Sequence, residues 1–375
     1  MSKKLAIIFL ALIIGATFFG CAKVAETTGG GGASDVTNVT GSPPAGTTQV
    51  KLSCGNVSAS SNAISFAVTA LNQNNTVLTG MGGGNFSGAV YSSNPSISSI
   101  TASTTLTAVA SLTVSAVTAG GANVSAALVI DKSGSMIGAK MVTAEIAGKL
   151  FIDELANNSS NNKAAIVNFA DDVGIDCPMV YAAANKQALY DAIDKEVGYL
   201  GSTSLYYAIA SGIWTATKET ASATRVRAVV AMTDGVENWS GTIDPLYGGV
   251  DTGTVEVVKQ ALKYSIPVYT IGLFLDTTTA QNDSKGLKSI AQATSANYFE
   301  IITGVTGLST SAETIRALGI MTDLYQKISQ ALTQSYSFVS SPSTTLTPGT
   351  YWLMLTLKNY GSFSGQTIVT QFTAQ

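Results

Sequence analysis

The stretch VSAALVIDKSGS, Val124–Ser135, decides the fold. From Val124 to Ile130 it is almost unbroken apolar sequence, and the run is too short for a core helix. Such a run reads as a strand buried on both faces, as in a parallel sheet covered by helices. A polar, glycine-containing loop follows at once, Asp131-Lys132-Ser133-Gly134-Ser135. Then residues 139–157 repeat Val142, Ile146, Leu150, Phe151 and Leu155 at helical spacing. Strand, loop and helix thus form one unit, and the unit recurs. Strands are expected at Ala164–Phe169, Val226–Met232, Ile266–Leu273 and Asn297–Ile302. Helices are expected at 185–197, 204–219, 254–264, 284–294 and 313–334, the last with Met321, Leu324, Tyr325, Ile328 and Leu332 on one face. This alternation over 122–334 predicts an α/β domain with a doubly wound, mainly parallel sheet.

On either side the period changes from helical to two. In residues 48–121, Ile64, Phe66 and Val68 alternate with polar or small residues, as do Leu106, Ala108, Ala110, Leu112 and Val114. Turn signals lie between them at Asn74-Asn75, Gly82-Gly83-Gly84 and Asn94-Pro95. The glycine run lacks the Lys-Ser/Thr and helix of a phosphate loop, so it reads as a turn. Alternation returns in 335–375 at Tyr351, Leu353, Leu355 and Leu357, with a last strand near Ile368–Phe372. The two segments are expected to form one antiparallel β-sandwich module with the α/β domain inserted in or flanked by it.

The N-terminus reads as targeting sequence. Lys3 and Lys4 precede an apolar run from Leu5 to Phe19, and Gly20 stands before Cys21. The small residue before cysteine resembles a bacterial lipobox, although Phe18 stands where Leu is usual. That resemblance implies a signal peptide over 1–20, acylation of Cys21, and an envelope lipoprotein; Ala22 after the cysteine points to the outer membrane. Residues 21–47, with Gly29–Gly32 and Pro43-Pro44, read as a flexible tether.

Composition narrows the chemistry. The 375 residues are 46% hydrophobic and 11% charged, with net charge −3. That is ample for a core, and without a basic excess it argues against nucleic acid and against any membrane contact beyond the lipid. There is no histidine, which removes imidazole bases and histidine-type zinc sites.

In open α/β sheets ligands bind beyond the carboxyl ends of the strands. Three loops belong there: Asp131–Ser135, Gly201-Ser202-Thr203-Ser204, and Asp234-Gly235. Together they carry two carboxylates and at least three hydroxyls, hard oxygen donors suited to Mg²⁺ or Mn²⁺. The same residue types also cap helices.

Asp131, Ser133 and Ser135 match the D-x-S-x-S motif of von Willebrand factor type A domains, with Thr203 and Asp234 as its separated threonine and aspartate. VYTIGL at 268–273, LKSIAQATSANYFE at 287–300 and DLYQKISQAL at 323–332 are similar to later parts of that domain. The resemblance covers 122–334. It implies a metal-ion-dependent adhesion site in which these five residues hold Mg²⁺ or Mn²⁺ directly or through water. One coordination position stays open for an Asp or Glu carboxylate of a partner protein. It also implies a last helix, 313–334, able to shift when the metal loop rearranges. Lys132 and Gly134 are not ligands on this reading.

Three function classes follow: an envelope-tethered binding or adhesion module, an accessory subunit of an envelope assembly, and a metal-dependent hydrolase. The last needs a positioned base and a pocket that the sequence does not offer, so no enzyme is expected. Asp171-Asp172 reads as a solvated turn rather than the metal rim. Glu237 and Trp239 line the binding face or are half-buried packing, and Ser160–Lys163 matches an S-x-x-K motif without its supporting motifs. With Cys21 acylated, Cys54 and Cys177 are the remaining thiols. A bond between them would clamp the two domains; the alternative is two isolated buried thiols.

Overall fold

Two sheets organise the chain. In chain order the elements are β1 (Val50–Ala59), β2 (Ile64–Asn72), β3 (Phe86–Tyr91), β4 (Ala110–Ala119), β5 (Asn123–Asp131), α1 (Ala139–Asn158), β6 (Lys163–Phe169), β7 (Val173–Tyr181), α2 (Lys186–Ile193), α3 (Leu205–Ala216), β8 (Arg225–Thr233), α4 (Thr252–Tyr264), β9 (Val268–Phe274), α5 (Lys285–Ala293), β10 (Tyr298–Ile302), α6 (Ser311–Thr333), β11 (Tyr336–Pro342), β12 (Gly349–Leu357) and β13 (Thr367–Ala374). This computed structural model describes residues 43–78, 80–93, 95, 108–119, 122–196, 202–220, 222, 225–235, 237–238, 252–274, 278, 280, 284–302 and 311–374. The leader, Cys21, most of the tether, Trp239 and the 303–310 segment lie outside these residues.

The six-stranded sheet has the order β10-β9-β8-β5-β6-β7. Every neighbouring pair is parallel except β6–β7. Successive side chains of β5 serve two cores. Ala126, Leu128 and Ile130 face a layer containing Phe151, Tyr325 and Ile328 from α1 and α6. Ala127 and Val129 face Leu205, Ile209, Val257 and Ile290 from α3, α4 and α5. Burial on both faces is why this strand shows no polar alternation. β7 was not expected from sequence, which placed Cys177 beyond the strand ending at Phe169. It is an antiparallel edge strand with bulges in its pairing and carries Asp176 and Pro178. Charge, proline and bulges blunt an open edge, and they also erase the alternation by which a strand is read.

The flanking strands correct the expected sandwich. β1, β13, β12, β3, β4, β11 and β2 close into one seven-stranded barrel containing strands from both ends of the chain. Phe66, Phe86, Tyr336 and Phe338 pack in its interior. Alternation along a strand says that one face is buried but not which strands meet at the edges, so it does not separate a sandwich from a barrel. The α/β domain is inserted between β4 and β11, which are barrel neighbours, and Ala119 pairs with Tyr336 across them.

A ring of seven strands cannot alternate direction throughout, so one pair must be parallel. That pair is β1–β13, and it makes a single register contact, Ala59 with Ala374. The rest of the seam is bridged by the α/β domain. Ser295 O accepts the Cys54 N–H at 3.2 Å and Ser265 O accepts the Asn56 N–H at 2.6 Å. On the β13 side, Ser295 Oγ donates to Val369 O and Ser265 Oγ to Gln371 O, both at 2.9 Å. Both serines follow helix ends at positive φ, 52° and 58°, where glycine is usual. Their hydroxyls offset the strain by serving the seam. Asn56, also at positive φ, accepts the Arg227 N–H at 2.6 Å. The barrel therefore docks at the amino ends of the parallel strands, opposite the loops that carry the candidate ligands.

Cys54 and Cys177 are separate free thiols, both buried, the second of the two alternatives left open by the sequence. Cys54 sits in the barrel core, beside the turns that precede β9 and β10, whereas Cys177 lies on β7 at the other edge of the α/β sheet. Burial pushes both thiols up, so neither favours the thiolate.

Candidate metal centre

Asp131 ends β5 and Asp234 follows β8 directly, and the two strands are central neighbours. Parallel pairing therefore delivers both carboxylates to one end of the sheet. Asp131 is wholly buried. Its Oδ1 accepts the Ser133 N–H at 2.7 Å, which folds the loop back over the strand end. Its Oδ2 accepts from Thr233 Oγ1 at 2.5 Å. Burial holds its carboxyl up at about 6, although the bonds from Ser133 and Thr233 pull downward. A buried carboxylate held this way is short of positive charge.

Ser133 and Ser135 lie in the turn between β5 and α1, with their hydroxyl oxygens 3.2 Å apart. Ser135 Oγ donates to Asp234 Oδ1 at 2.6 Å, so the two loops meet through this bond. Gly235 stands where a Cβ would lie 3.7 Å from Ser135 Oγ and 3.8 Å from Thr203 Oγ1. Those distances put the Thr203 hydroxyl beside the same cluster. All five oxygen residues expected from sequence thus converge.

The Thr203 loop is held from three sides. Its N–H donates to Asn238 Oδ1 at 2.7 Å, and the Asn238 N–H returns to Thr203 O at 3.2 Å. Asp171 accepts the Ser202 N–H on its carboxylate and the Ser204 hydroxyl on its carbonyl. It is a fastening of this loop and not the solvated turn read from sequence. Glu237 accepts the Tyr206 N–H at 2.8 Å in the first turn of α3, so it holds a helix start. Behind the loop α3 lies close on β5, where a Cβ on Gly212 would come within 2.9 Å of Val129 Cγ2.

Two cationic side chains flank the cluster, and they part company. Lys132 is buried with its Nζ on Glu145 Oε1 at 2.6 Å and Ile193 O at 2.7 Å, turned from the ligands. Lys140 reaches in, pairing with Asp234 Oδ2 and donating to Ser135 O at 3.3 Å. Lys140, Thr233, Asn238 and Asp171 were not picked out by sequence as site residues. A signal existed for Lys140, since a cation in the first turn of a helix opposes the dipole and needs a partner.

The donor set is all oxygen, on a strand end and the loops beside it, with two carboxylates against one ammonium. Asp131, Ser133, Ser135, Thr203 and Asp234 fit a hard divalent cation, Mg²⁺ or Mn²⁺.

The family model for the von Willebrand factor type A domain matches residues 127–311. A search of curated proteins found no match. Among solved structures, the PilB minor pilin from Streptococcus sanguinis is 13% identical, with 76% of this chain and 79% of that one covered and a TM-score of 0.44. The vWF domain of the type V pili tip protein Mfa5 from Porphyromonas gingivalis is 12% identical, covering 56% and 97%, TM-score 0.40. The pilus adhesin SpaC from Lactobacillus rhamnosus GG is 10% identical, covering 86% and 47%, TM-score 0.43. Over residues 127–311 the α/β domain of this chain is thus similar to von Willebrand factor type A domains.

Proposed function

We propose that this protein is a metal-dependent binding module of the bacterial envelope. Asp131, Ser133, Ser135, Thr203 and Asp234 hold Mg²⁺ or Mn²⁺, and the ion presents an open position to an Asp or Glu carboxylate on a partner protein. The observation that carries the reading is the convergence of these five oxygen side chains from three loops at the carboxyl end of the sheet. An ion held by few charged oxygens remains electrophilic, so an incoming carboxylate gains strongly. The chain's own groups supply orientation. Thr233 and the Ser133 N–H fix Asp131, and Asn238 fixes Thr203. The role is binding and not catalysis, since the chain has no histidine and the carboxylates near the ion are committed to its loops. The partner is captured by crosslinking intact cells in Mg²⁺ and in chelator. Capture that depends on Mg²⁺ supports the reading, and equal capture in chelator overturns it.

The lipid on Cys21 is the second half of the proposal. It places the binding face at the end of a tether on the envelope, with the membrane contacted by acyl chains alone. Cys21→Ser is expected to move the protein from membranes to the soluble fraction. Retention on membranes after a high-salt wash would count against the anchor.

A further inference from the structure

Lys140 touches the ligand set without being an oxygen ligand. It is the second residue of α1, at the positive end of the helix dipole, where a lysine is disfavoured unless something holds it. What holds it is Asp234 Oδ2 together with the Ser135 carbonyl. The other oxygen of Asp234 is taken by Ser135 Oγ. The Asp234 side chain is 1% exposed and that of Lys140 is 17%. The ammonium thus covers the carboxylate and remains in reach of solvent. Among the described residues it is the cation whose hydrogen bonds reach the ligands, because Lys132 is spent on Glu145 and Ile193.

We infer that Lys140 is a built-in third charge of the metal site, which weakens the hold on the metal ion and strengthens the hold of the loaded site on an anionic partner. The inference rests on the metal-binding reading above. Two carboxylates and a dication would leave the loaded site neutral, and a carboxylate would then meet no net charge. With the Lys140 ammonium the loaded site carries one net positive charge. Without metal, the two carboxylates and one ammonium carry one net negative charge, which repels the same partner. Lys140 therefore makes the sign of the site depend on the metal. Its cost is repulsion between ammonium and dication within one hydrogen-bonded cluster. At an effective dielectric constant of about 20, a unit charge at that range changes affinity by a factor of ten or more.

The test uses the full-length protein with Lys140→Met and Lys140→Gln, which remove the charge, and Lys140→Arg, which keeps it. Mg²⁺ affinity is read by calorimetry. Carboxylate affinity of the Mn²⁺-loaded protein is read by acetate titration, through loss of the ion's enhancement of water-proton relaxation. The neutral variants are expected to bind Mg²⁺ about tenfold more tightly and acetate about tenfold more weakly, with the Arg variant near wild type in both. A lysine that only braces the loop would lower both affinities together, and that result overturns the inference, as does no change in either. If the neutral variants misfold, the Arg variant decides alone, and a large change in it overturns the inference. Absence of Mg²⁺ binding by the wild-type protein is a different failure, because it removes the metal-binding reading itself.

Discussion

Asp131→Asn is expected to abolish Mg²⁺ binding and yet to stabilise the metal-free protein at neutral pH. The side chain is completely buried, and burial holds its carboxyl at about 6 against an ordinary 3.8. A carboxyl whose proton is held more tightly in the folded state favours folding when protonated. That advantage is complete below about pH 4 and is lost as pH rises through about 6. Two pKa units correspond to roughly 3 kcal/mol, which the folded metal-free protein forgoes at pH 7. Asparagine keeps one oxygen for the Ser133 N–H and meets Thr233 Oγ1 with its amide, without a charge to desolvate. Denaturant unfolding in chelator should show a gain of roughly 2–3 kcal/mol at pH 7.5 and almost none at pH 4. Calorimetry should show no Mg²⁺ heat at either pH. A variant that is destabilised at pH 7.5, or that binds Mg²⁺ like the wild type, would remove Asp131 from the role assigned to it. Wild-type protein should recover the lost stability when Mg²⁺ is added, because the ion supplies the charge that burial withholds.

Asn56→Ala is expected to be strongly destabilising although Asn56 belongs to none of the three apolar cores. Asn56 is 1% exposed and takes the Arg227 N–H at 2.6 Å and Arg227 Nε at 3.3 Å on its side-chain oxygen. Its amide donates to Arg227 O at 3.3 Å. Alanine removes the Asn56 bonds to the Arg227 N–H, carbonyl and Nε in a buried place, at about 1–3 kcal/mol for each group left unpaired, while the other guanidinium nitrogens keep Glu219 O and Tyr264 O. It also puts a Cβ without a compensating side chain at φ 56°, a further cost of about 1 kcal/mol. A loss of about 3–5 kcal/mol should follow. The bonds of Ser265 and Ser295 to β1 and β13 remain in the variant, so barrel and α/β domain should still unfold in one transition by fluorescence and by circular dichroism. A loss under about 1 kcal/mol would mean that the Asn56–Arg227 contact is incidental, and two separated transitions would mean that Asn56 alone couples the barrel to the α/β domain.

The α/β domain was legible because its chemistry is local. Strands buried on both faces appear as unbroken apolar runs, as Val226–Met232 does, and polar residues directly after them can only stand at the open end of the sheet. That logic found Asp131, Ser133, Ser135 and Asp234, while Thr203, which opens a helix, was singled out by the family resemblance. It missed β7, whose Asp176, Pro178 and bulges protect an edge and so break the pattern. It missed Lys140, Asn238 and Asp171 as site residues because their roles come from bonds across loops distant in sequence, such as Asp171 with Ser202. The barrel was beyond reach for the same reason. The alternation of β2, β4, β12 and β13 was visible and β3 and β11 were not, and closure depends on the β1–β13 seam and on Ser265 and Ser295, which belong to the other domain.

The pairing of Ala119 with Tyr336 fixes an order of assembly. The six strands of the α/β sheet lie within one continuous segment, so that sheet forms once the chain has reached β10. The barrel instead pairs β2 with β11 and β12 with β3, contacts that must wait for the end of the chain. An unfolded connection of some two hundred residues would resist those pairings through loop entropy. A folded insert whose two ends already stand side by side replaces it with a short turn, a saving of about 3 kcal/mol. The inserted domain is thus, for the barrel, a folding nucleus held inside one of its own hairpins. A chain stopped before β11 would leave β1 to β4 with open edges while the α/β domain is already complete.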